Sequence, residues 1–452
     1  MAFTYIDLFA GCGGLSLGLE AAGGDLLVAV ERSPMAAETF FHNLIAPIAS
    51  QEEWSTYISR EVGEQVDGKI VVKELDKLLA DGPSMEKIIQ QTPDAVVGGP
   101  PCQGFSLAGR RNPDDSRNSL PWQFLALVEA SKPKVVVIEN VVGMRHKFGN
   151  GEDDVFRQLQ TALKETNPGY VVQAVEVNAL HYGAPQHRPR LMIIGLREDI
   201  AQSKNIESTG NLWRSDFVDK LEFPIPALAP SPKVLSDEVP TVRDALTGLP
   251  GSRILNGRVM ESYSQSWGVL RPSSSRTAPN HVIRKHQPLS MTRFGLYQWL
   301  SQNGFDNRTL AAYSIADSAK QDEILNSIDS VAEYPMQTLG GITLASNKQE
   351  LSKLLDSVKT KKHSQRVLKI DEPARTVVTI GDDYVHPLEP RTFTVRELAR
   401  FQGFPDSFEF RAKETTGGLN RRNEVPQYSQ VGNAVSPFLA LAVGKLIQRI
   451  VS

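Results

Sequence analysis

Along the first two hundred positions, apolar residues gather into short dense runs, and the stretches between them carry apolar residues at helical spacing. FTYIDLFAG (3–11), LLVAVE (26–31), PDAVVGGPP (93–101), PKVVVIENV (133–141), VVQAVEVNA (171–179) and RLMIIGLR (190–197) are short and almost continuously apolar. That is the pattern of strands buried on both faces. LSLGLEAAG (15–23), ERSPMAAETFFHNL (31–44) and WQFLALVEA (122–130) supply helices between them. Strand and helix in alternation predict an α/β domain: a doubly wound, mostly parallel sheet.

From about residue 200 the rhythm breaks. Proline and serine become frequent, as in FPIPALAPSPK (223–233) and RPSSSRTAPN (271–280), and regular patterning returns with TFTVRELARFQGFP (392–405) and QVGNAVSPFLALAVGKLIQRI (430–450). A chain of 452 residues also exceeds the length at which single cores stop growing. The expected division is a first domain over 1–250, a second, smaller domain over 251–385, and a C-terminal segment over 386–452. The final helix of that segment is apolar enough to return to the first domain's sheet.

Composition narrows the class. No apolar run approaches the roughly 18 residues of a membrane span, and the N-terminus MAFTYIDLFAG has neither the basic region nor the cleavage site of a signal peptide. Two cysteines, Cys12 and Cys102, are too few for a disulfide framework or a zinc cage. The expectation is a cytoplasmic protein with no metal and no membrane partner. The net charge of −3 advertises no nucleic-acid partner, but its distribution is uneven. Residues 251–300 hold seven Lys and Arg against one Glu, and KTKKHSQR (359–366) is strongly basic. A basic region on a near-neutral chain fits a phosphate-binding face, and it equally fits a plain solvated surface.

DLFAGCGGLSLGLE (7–20) reads as strand, glycine turn and helix. Glycines admit a ligand close to the backbone, and the helix start offers free N–H groups. The turn lacks both the spaced dinucleotide fingerprint and a Walker lysine, so a pyrophosphate is not favoured. Glu31 ends the second strand about 20 residues on, where an acid meets ribose hydroxyls. A ribose-bearing ligand without a pyrophosphate, such as S-adenosylmethionine, fits, as does a tight turn with no ligand. Cys12, within the turn, reads as a space-filling residue.

GGPPCQGFS (98–106) is a loop stiffened by prolines, and it places Cys102 just past a strand's C-terminal end, where open α/β sheets bind ligands. Glu139 and Asn140 end the next strand at the same rim. GAPQHRPRL (183–191) adds Arg188 and Arg190, cations able to activate a thiol that is otherwise little ionised. Each residue alone also has an inert reading as packing, cap or surface pair. The convergence of all of them on one crevice favours chemistry.

These stretches, in this order, resemble the DNA cytosine carbon-5 methyltransferases of the bacterial restriction-modification type. DLFAGCGGLSLGLE resembles the family's cofactor motif and GGPPCQGFS its catalytic loop. DSRNSL (115–120), ENV (139–141), QHRPR (186–190), TVRELARFQGFPDSF (394–408) and QVGNAVSP (430–437) resemble the motifs that follow. Residues from about 200 to 370 carry little of the likeness, as expected where the family keeps its variable target-recognition segment.

The resemblance implies a Rossmann-like S-adenosylmethionine-dependent methyltransferase fold with a smaller target-recognition domain. It implies methyl transfer from S-adenosylmethionine to carbon 5 of a flipped-out cytosine in a specific double-stranded DNA sequence. Cys102 would attack carbon 6, Glu139 would protonate ring nitrogen 3, Arg188 would bind near base and thiol, and Arg190 would support that loop. Phe9, Gly11, Cys12, Gly14, Glu31, Pro101, Leu120, Asn433 and Val435 would line the cofactor site. The family's adenine-contacting aspartate is missing from VVKELDKLL (71–79), which leaves Glu74, ranked first, or Asp76. A monomer is implied, as either a restriction-modification enzyme with a cognate restriction endonuclease acting on the same site or an orphan modification methyltransferase without one. An RNA cytosine methyltransferase and a non-catalytic DNA-binding relative are the competing readings. The residues after Cys102 and the long variable region favour the first alternative less, and the intact Cys102, Glu139 and Arg188 set disfavours the second.

Overall fold

The computed structural model describes residues 2–101, 119–145, 155–250, 252, 254, 256–258, 278–306, 308–417, 420 and 423–452. The six expected apolar runs and two further short segments form the strands of one eight-stranded sheet. They are β1 (Phe3–Leu8), β2 (Gly24–Val30), β3 (Ile70–Val71), β4 (Ala95–Gly98), β5 (Val135–Val141), β6 (Tyr170–Asn178), β7 (Pro189–Arg197) and β8 (Trp213–Arg214). Their order is β3-β2-β1-β4-β5-β7-β6-β8. All neighbours run parallel except β7, which is antiparallel to both β5 and β6. A parallel β6–β7 pair would need a crossover of a dozen or more residues. Only residues 179–188 lie between them, beginning with the short helical turn Ala179–Tyr182 and a left-handed Gly183, so β7 folds straight back.

Both faces of the sheet are buried, which is why the strands read as continuous apolar runs. Phe3, Tyr5, Ala29, Val97, Val137 and Ile194 face one core, and Ile6, Leu8, Val30, Val96, Val136 and Ile193 face the other. The first core is closed by α1 (Gly14–Ala21) and the final helix, Pro437–Val451, which returns to the sheet. The second is closed by helices Leu75–Ala80, Gly82–Gln90, Leu120–Ser131 and Val155–Glu165. The ERSPMAAETFFHNL stretch forms α2 (Pro34–Phe40), capped by the Ser33 hydroxyl and started by Pro34, and then widens into a π-turn over Phe41–Ile45. Two elements had no pattern to announce them. β3 is two residues long because helix Leu75–Ala80 begins four residues after it, and β8 is an equally short edge strand.

A third core joins the glycine turn to the C-terminal region. It contains Cys12 and Leu17, Val242, Ala245, Leu246, Leu249 and Ile254, Leu368, Ala374 and Val377, the phenylalanines from Phe393 to Phe410, and Tyr428, Val431 and Ala434. A fourth core is assembled from residues 294–358, with Val385 added. Among the described residues no single helix is long and apolar enough to cross a membrane.

The crossing of α1 with the final helix is set by small residues. A side chain at Gly18 would overlap Ala440 and Leu441, and one at Gly444 would lie 2.6 Å from the Ala22 Cβ. Gly18→Val should therefore lower the unfolding free energy by about 1–3 kcal/mol, read from denaturant titration. Gly82→Ala, where nothing lies within 4 Å of an added Cβ, should leave it unchanged or raise it by about 0.5–1 kcal/mol. Equal losses at the two positions would refute this account of the helix crossing.

Candidate active site

The chain leaves β1 through a turn wound against ordinary backbone preference. Phe9, Gly11 and Gly13 have φ of 59°, 58° and 95°, and for Phe9 that conformation is strained. Glycine makes it free of strain at the other two positions. The turn is held by Gly13 N–H donating to Ala10 O (3.0 Å) and Leu17 N–H to Gly13 O (2.9 Å). Nothing lies within 4 Å of an added Cβ at Gly11, so open space faces the backbone there. Glu31, just past β2, reaches across: its carboxylate accepts from Gly11 N–H at 3.0 Å and from Ser33 N–H at 2.7 Å. Burial pushes the Glu31 carboxyl up, and those two N–H groups pull it back.

The other turn residues face inward. Cys12 is buried, its thiol 3.7 Å from the Gln430 carbonyl, and burial pushes it up to about 12. The Cys12 side chain is thus core packing, in line with its space-filling reading, and only its backbone faces the turn. Gly14 is a packing position: a side chain there would overlap the Val435 carbonyl and crowd Phe404 and Ala434. Behind the turn, Asp7 is buried, accepts from the Ser16 hydroxyl at 2.6 Å, and is pushed up to about 7 by that burial.

On the far side of β1, β4 and β5 end side by side. Glu139 is buried, and its carboxylate lies 2.9 Å from where a Cβ at Gly99 would sit, so a side chain there would displace the carboxylate. Asn140 donates to Pro100 O at 2.8 Å and fixes the start of the loop that leads to Cys102. Cys102 itself lies outside the described residues. Arg190 stands opposite Val141 in the antiparallel β5–β7 ladder, one diagonal step from Glu139 on the same face. Its Nε meets the Glu139 carboxylate at 2.8 Å, and both side chains are about nine-tenths buried.

Arg188, expected near base and thiol, makes its own contacts with backbone. It is 1% exposed, and its guanidinium donates to three backbone carbonyls: Val377 O at 3.1 Å, Gly432 O at 2.7 Å and Ala434 O at 2.8 Å. Burial draws its pKa well down, and the neighbouring Arg190 adds to the effect. Of the two arginines, Arg190 is the one that contacts Glu139.

The remaining candidates scatter around the crevice. Pro101 and Leu120, on either side of residues 102–118, are both half-buried. Asn433 is exposed and Val435 half-buried, on the turn between helix Gln427–Asn433 and the final helix. Glu74 and Asp76 both lie in water, Glu74 3.8 Å from Arg32 and Asp76 3.9 Å from Lys77. Neither is buried against a ligand-shaped wall. Asn140, Asp7, Gln186 and Gln402 carry no role in the sequence reading, although all of them stand inside the motif strings. Gln186 donates to Gln402 at 2.6 Å and accepts from Val377 N–H at 3.0 Å, while Gln402 donates to Val431 O at 2.7 Å. A separate cleft of about 670 Å³, between Pro34, Trp54 and Arg411, lies outside this crevice.

Comparisons with known proteins match this arrangement along its whole length. The chain is 29% identical over 453 residues to the type II methyltransferase M.DdeI of Desulfomicrobium norvegicum, covering 98% of this chain and 88% of the relative. It is 30% identical over 465 residues to M.PspPI of Psychrobacter sp., covering 100% of this chain and 80% of the relative. A crystal structure described as a DNA modification methyltransferase encoded within an E. coli prophage shares the fold, with a TM-score of 0.54 at 23% identity, covering 100% of this chain and 99% of that one. The C-5 cytosine-specific DNA methylase model matches residues 3–449, and the chain belongs to that family, as a DNA cytosine-5 methyltransferase.

Proposed function

We propose that this enzyme methylates carbon 5 of a flipped-out cytosine in a specific duplex DNA sequence, through a transient covalent bond from Cys102. The observation that carries this reading is the buried Glu139–Arg190 pair, set beside Gly99, the residue before Pro100, which Asn140 anchors. Carbon 5 of cytosine is a poor nucleophile. Addition of the Cys102 thiolate to carbon 6, with Glu139 holding a proton at nitrogen 3, turns the ring into an enamine that is a good one. Arg190 holds the Glu139 carboxylate in place and leaves its outward oxygen to the base. Once carbon 5 has taken the methyl group, loss of its proton restores the carbon 5–carbon 6 double bond and expels the Cys102 thiolate, and nitrogen 3 gives up its proton. The base must leave the stack to reach this rim, at a cost of a few kcal/mol.

The cofactor reading is S-adenosylmethionine, which supplies an electrophilic methyl on a sulfonium. The open backbone at Gly11 and the Glu31 carboxylate, whose second lone pairs remain for ribose hydroxyls, fit that ligand. Phe9, Gly11, Glu31, Pro101, Leu120, Asn433 and Val435 would hold it, with Cys12 and Gly14 shaping the turn through their backbone and packing. Between the two acids considered for the adenine, Glu74 precedes Leu75 and faces Arg32 beside Glu31, and we assign it that role.

DNA would lie against the segment 251–385, which we assign to target recognition, with 1–250 and 386–452 forming the catalytic body. A groove of about 390 Å³ there is floored by Ala311, Ala312 and Ile315 and rimmed by Arg308, Lys361 and His363. Arg308 and Lys361 have no acidic partner among the described residues, whereas Lys359 and Lys362 pair with Asp356 and Asp382. Unpaired cations over an apolar floor suit a sugar–phosphate backbone. The enzyme would act as a monomer, with a cognate restriction endonuclease cutting the same site.

Three outcomes are expected. A duplex carrying 5-fluorocytosine at the target should trap the enzyme covalently, since fluorine cannot leave as the proton does; Cys102→Ser should abolish trapping and methyl transfer, and full activity in that variant would sink the mechanism. Glu139→Gln should lower turnover by about 10²–10⁴-fold, measured with saturating substrates. Arg308→Ala with Lys361→Ala should flatten the slope of log affinity against log salt by about 2, at roughly 0.9 for each phosphate no longer neutralised, while bisulfite sequencing shows the same target sites. An unchanged slope would remove this groove from the DNA face.

A further inference from the structure

Arg188 and Arg190 are two residues apart, yet their side chains serve different neighbours. Arg190 is spent on Glu139. Arg188 has no carboxylate partner within hydrogen-bonding distance, and only its Nε lacks a partner. A buried guanidinium satisfied by carbonyls alone is costly to place unless its geometry is well fixed. Here the backbone holding it is fixed too, since Arg188 N–H donates to the Asn178 side chain at 2.9 Å and Arg188 O accepts from Ala179 N–H at 3.1 Å.

The three carbonyls are informative by their origin. Gly432 O and Ala434 O bracket Asn433, so both residues beside it are tied down and Asn433 itself is left exposed. The next residue, Val435, presses its carbonyl against Gly14 of the glycine turn. Val377 O belongs to the stretch of chain that returns from the 294–358 core and pairs with Gln186 through Ala374. One side chain thus clamps the turn bearing two proposed cofactor residues to the rim where the base would sit.

We propose that Arg188 is a positioning residue for the cofactor side of the site: it locks the 432–435 turn to the start of β7, so that cofactor binding and base binding are registered on one rigid element. This rests on the S-adenosylmethionine reading above. Lysine cannot replace it, because a single ammonium cannot span carbonyls that the planar fork reaches from two of its nitrogens.

The test separates the two arginines. In Arg188→Lys, the Kd for S-adenosylmethionine, measured calorimetrically without DNA, should rise by about tenfold or more, while covalent trapping by 5-fluorocytosine duplex at saturating cofactor is retained. Arg190→Lys should show the reverse: trapping abolished and cofactor Kd near wild type. An unchanged cofactor Kd in Arg188→Lys, or equal loss of both functions in the two variants, would overturn the proposal. Wild-type enzyme that fails to bind S-adenosylmethionine would instead refute the cofactor reading. Should Arg188→Lys not fold, hydrogen exchange on the wild type decides. Cofactor should raise protection at 186–192 and 374–379 together with 430–436, and protection confined to 430–436 would refute the coupling.

Discussion

The return of the chain's end to its beginning is the contact on which the site depends. Gly14 and Gly18 on α1 let Val435, Ala440 and Leu441 approach to backbone distance, and Gly444 does the same for Ala22 from the opposite helix. A glycine turn alone is a weak ligand cradle, since its open side faces water. With the 432–435 turn packed over its helix, the cradle gains a second wall contributed from more than four hundred residues away in sequence. The strain at Phe9 is tolerable for the same reason: the turn is held between the sheet and the C-terminal segment, and has no freedom to relax.

A second constraint follows from how little regular structure the third core contains. Its segments are loops and short helices, whose buried carbonyls still need donors. Arginines supply them. Arg396, fully buried, donates to Pro279 O at 2.9 Å, Pro405 O at 2.8 Å and Phe408 O. Arg400 donates to Ala245 O and Thr247 O while pairing with Asp406, and Arg391 pairs with Glu397 at the start of helix Val395–Gln402. The Arg396 and Arg400 forks each bind chain segments that no strand ladder joins. Arg188 belongs to this set by its chemistry, donating to the carbonyls of Val377, Gly432 and Ala434.

The sheet was legible because burial on both faces writes each strand as an apolar run, and Glu31, Glu139 and Arg190 were legible because strand ends carry polar residues only where something holds them. Direction was not legible: nothing in RLMIIGLR says that β7 runs backwards, although the missing helix between Asn178 and Pro189 carries that information. The partners of Arg188 were out of reach for a different reason. They lie 189 and 246 residues away in sequence and are backbone carbonyls, which leave no mark on residue identity. Burial does not choose between Glu74 and Asp76, since both are exposed and each has its own surface cation.

The two arginines of QHRPR show how one residue type divides two tasks. Pro189 between them starts β7 and lacks an N–H, so the ladder begins at that point and Arg188 stays outside it, anchored by Asn178. Arg190, within the ladder, is turned by the strand's alternation onto the face shared with Glu139. There the absence of a side chain at Gly99 opens the carboxylate to the crevice. Charge that must meet a substrate is therefore kept on the sheet, whose register positions it to within a fraction of a residue. Charge that must join loops is kept just off the sheet, where a long fork can reach carbonyls on either side. A shift of one residue in the start of β7 would turn Arg190 to the other face of the sheet and leave Glu139 without its partner, which makes the proline between the two arginines as much a determinant of the site as the arginines themselves.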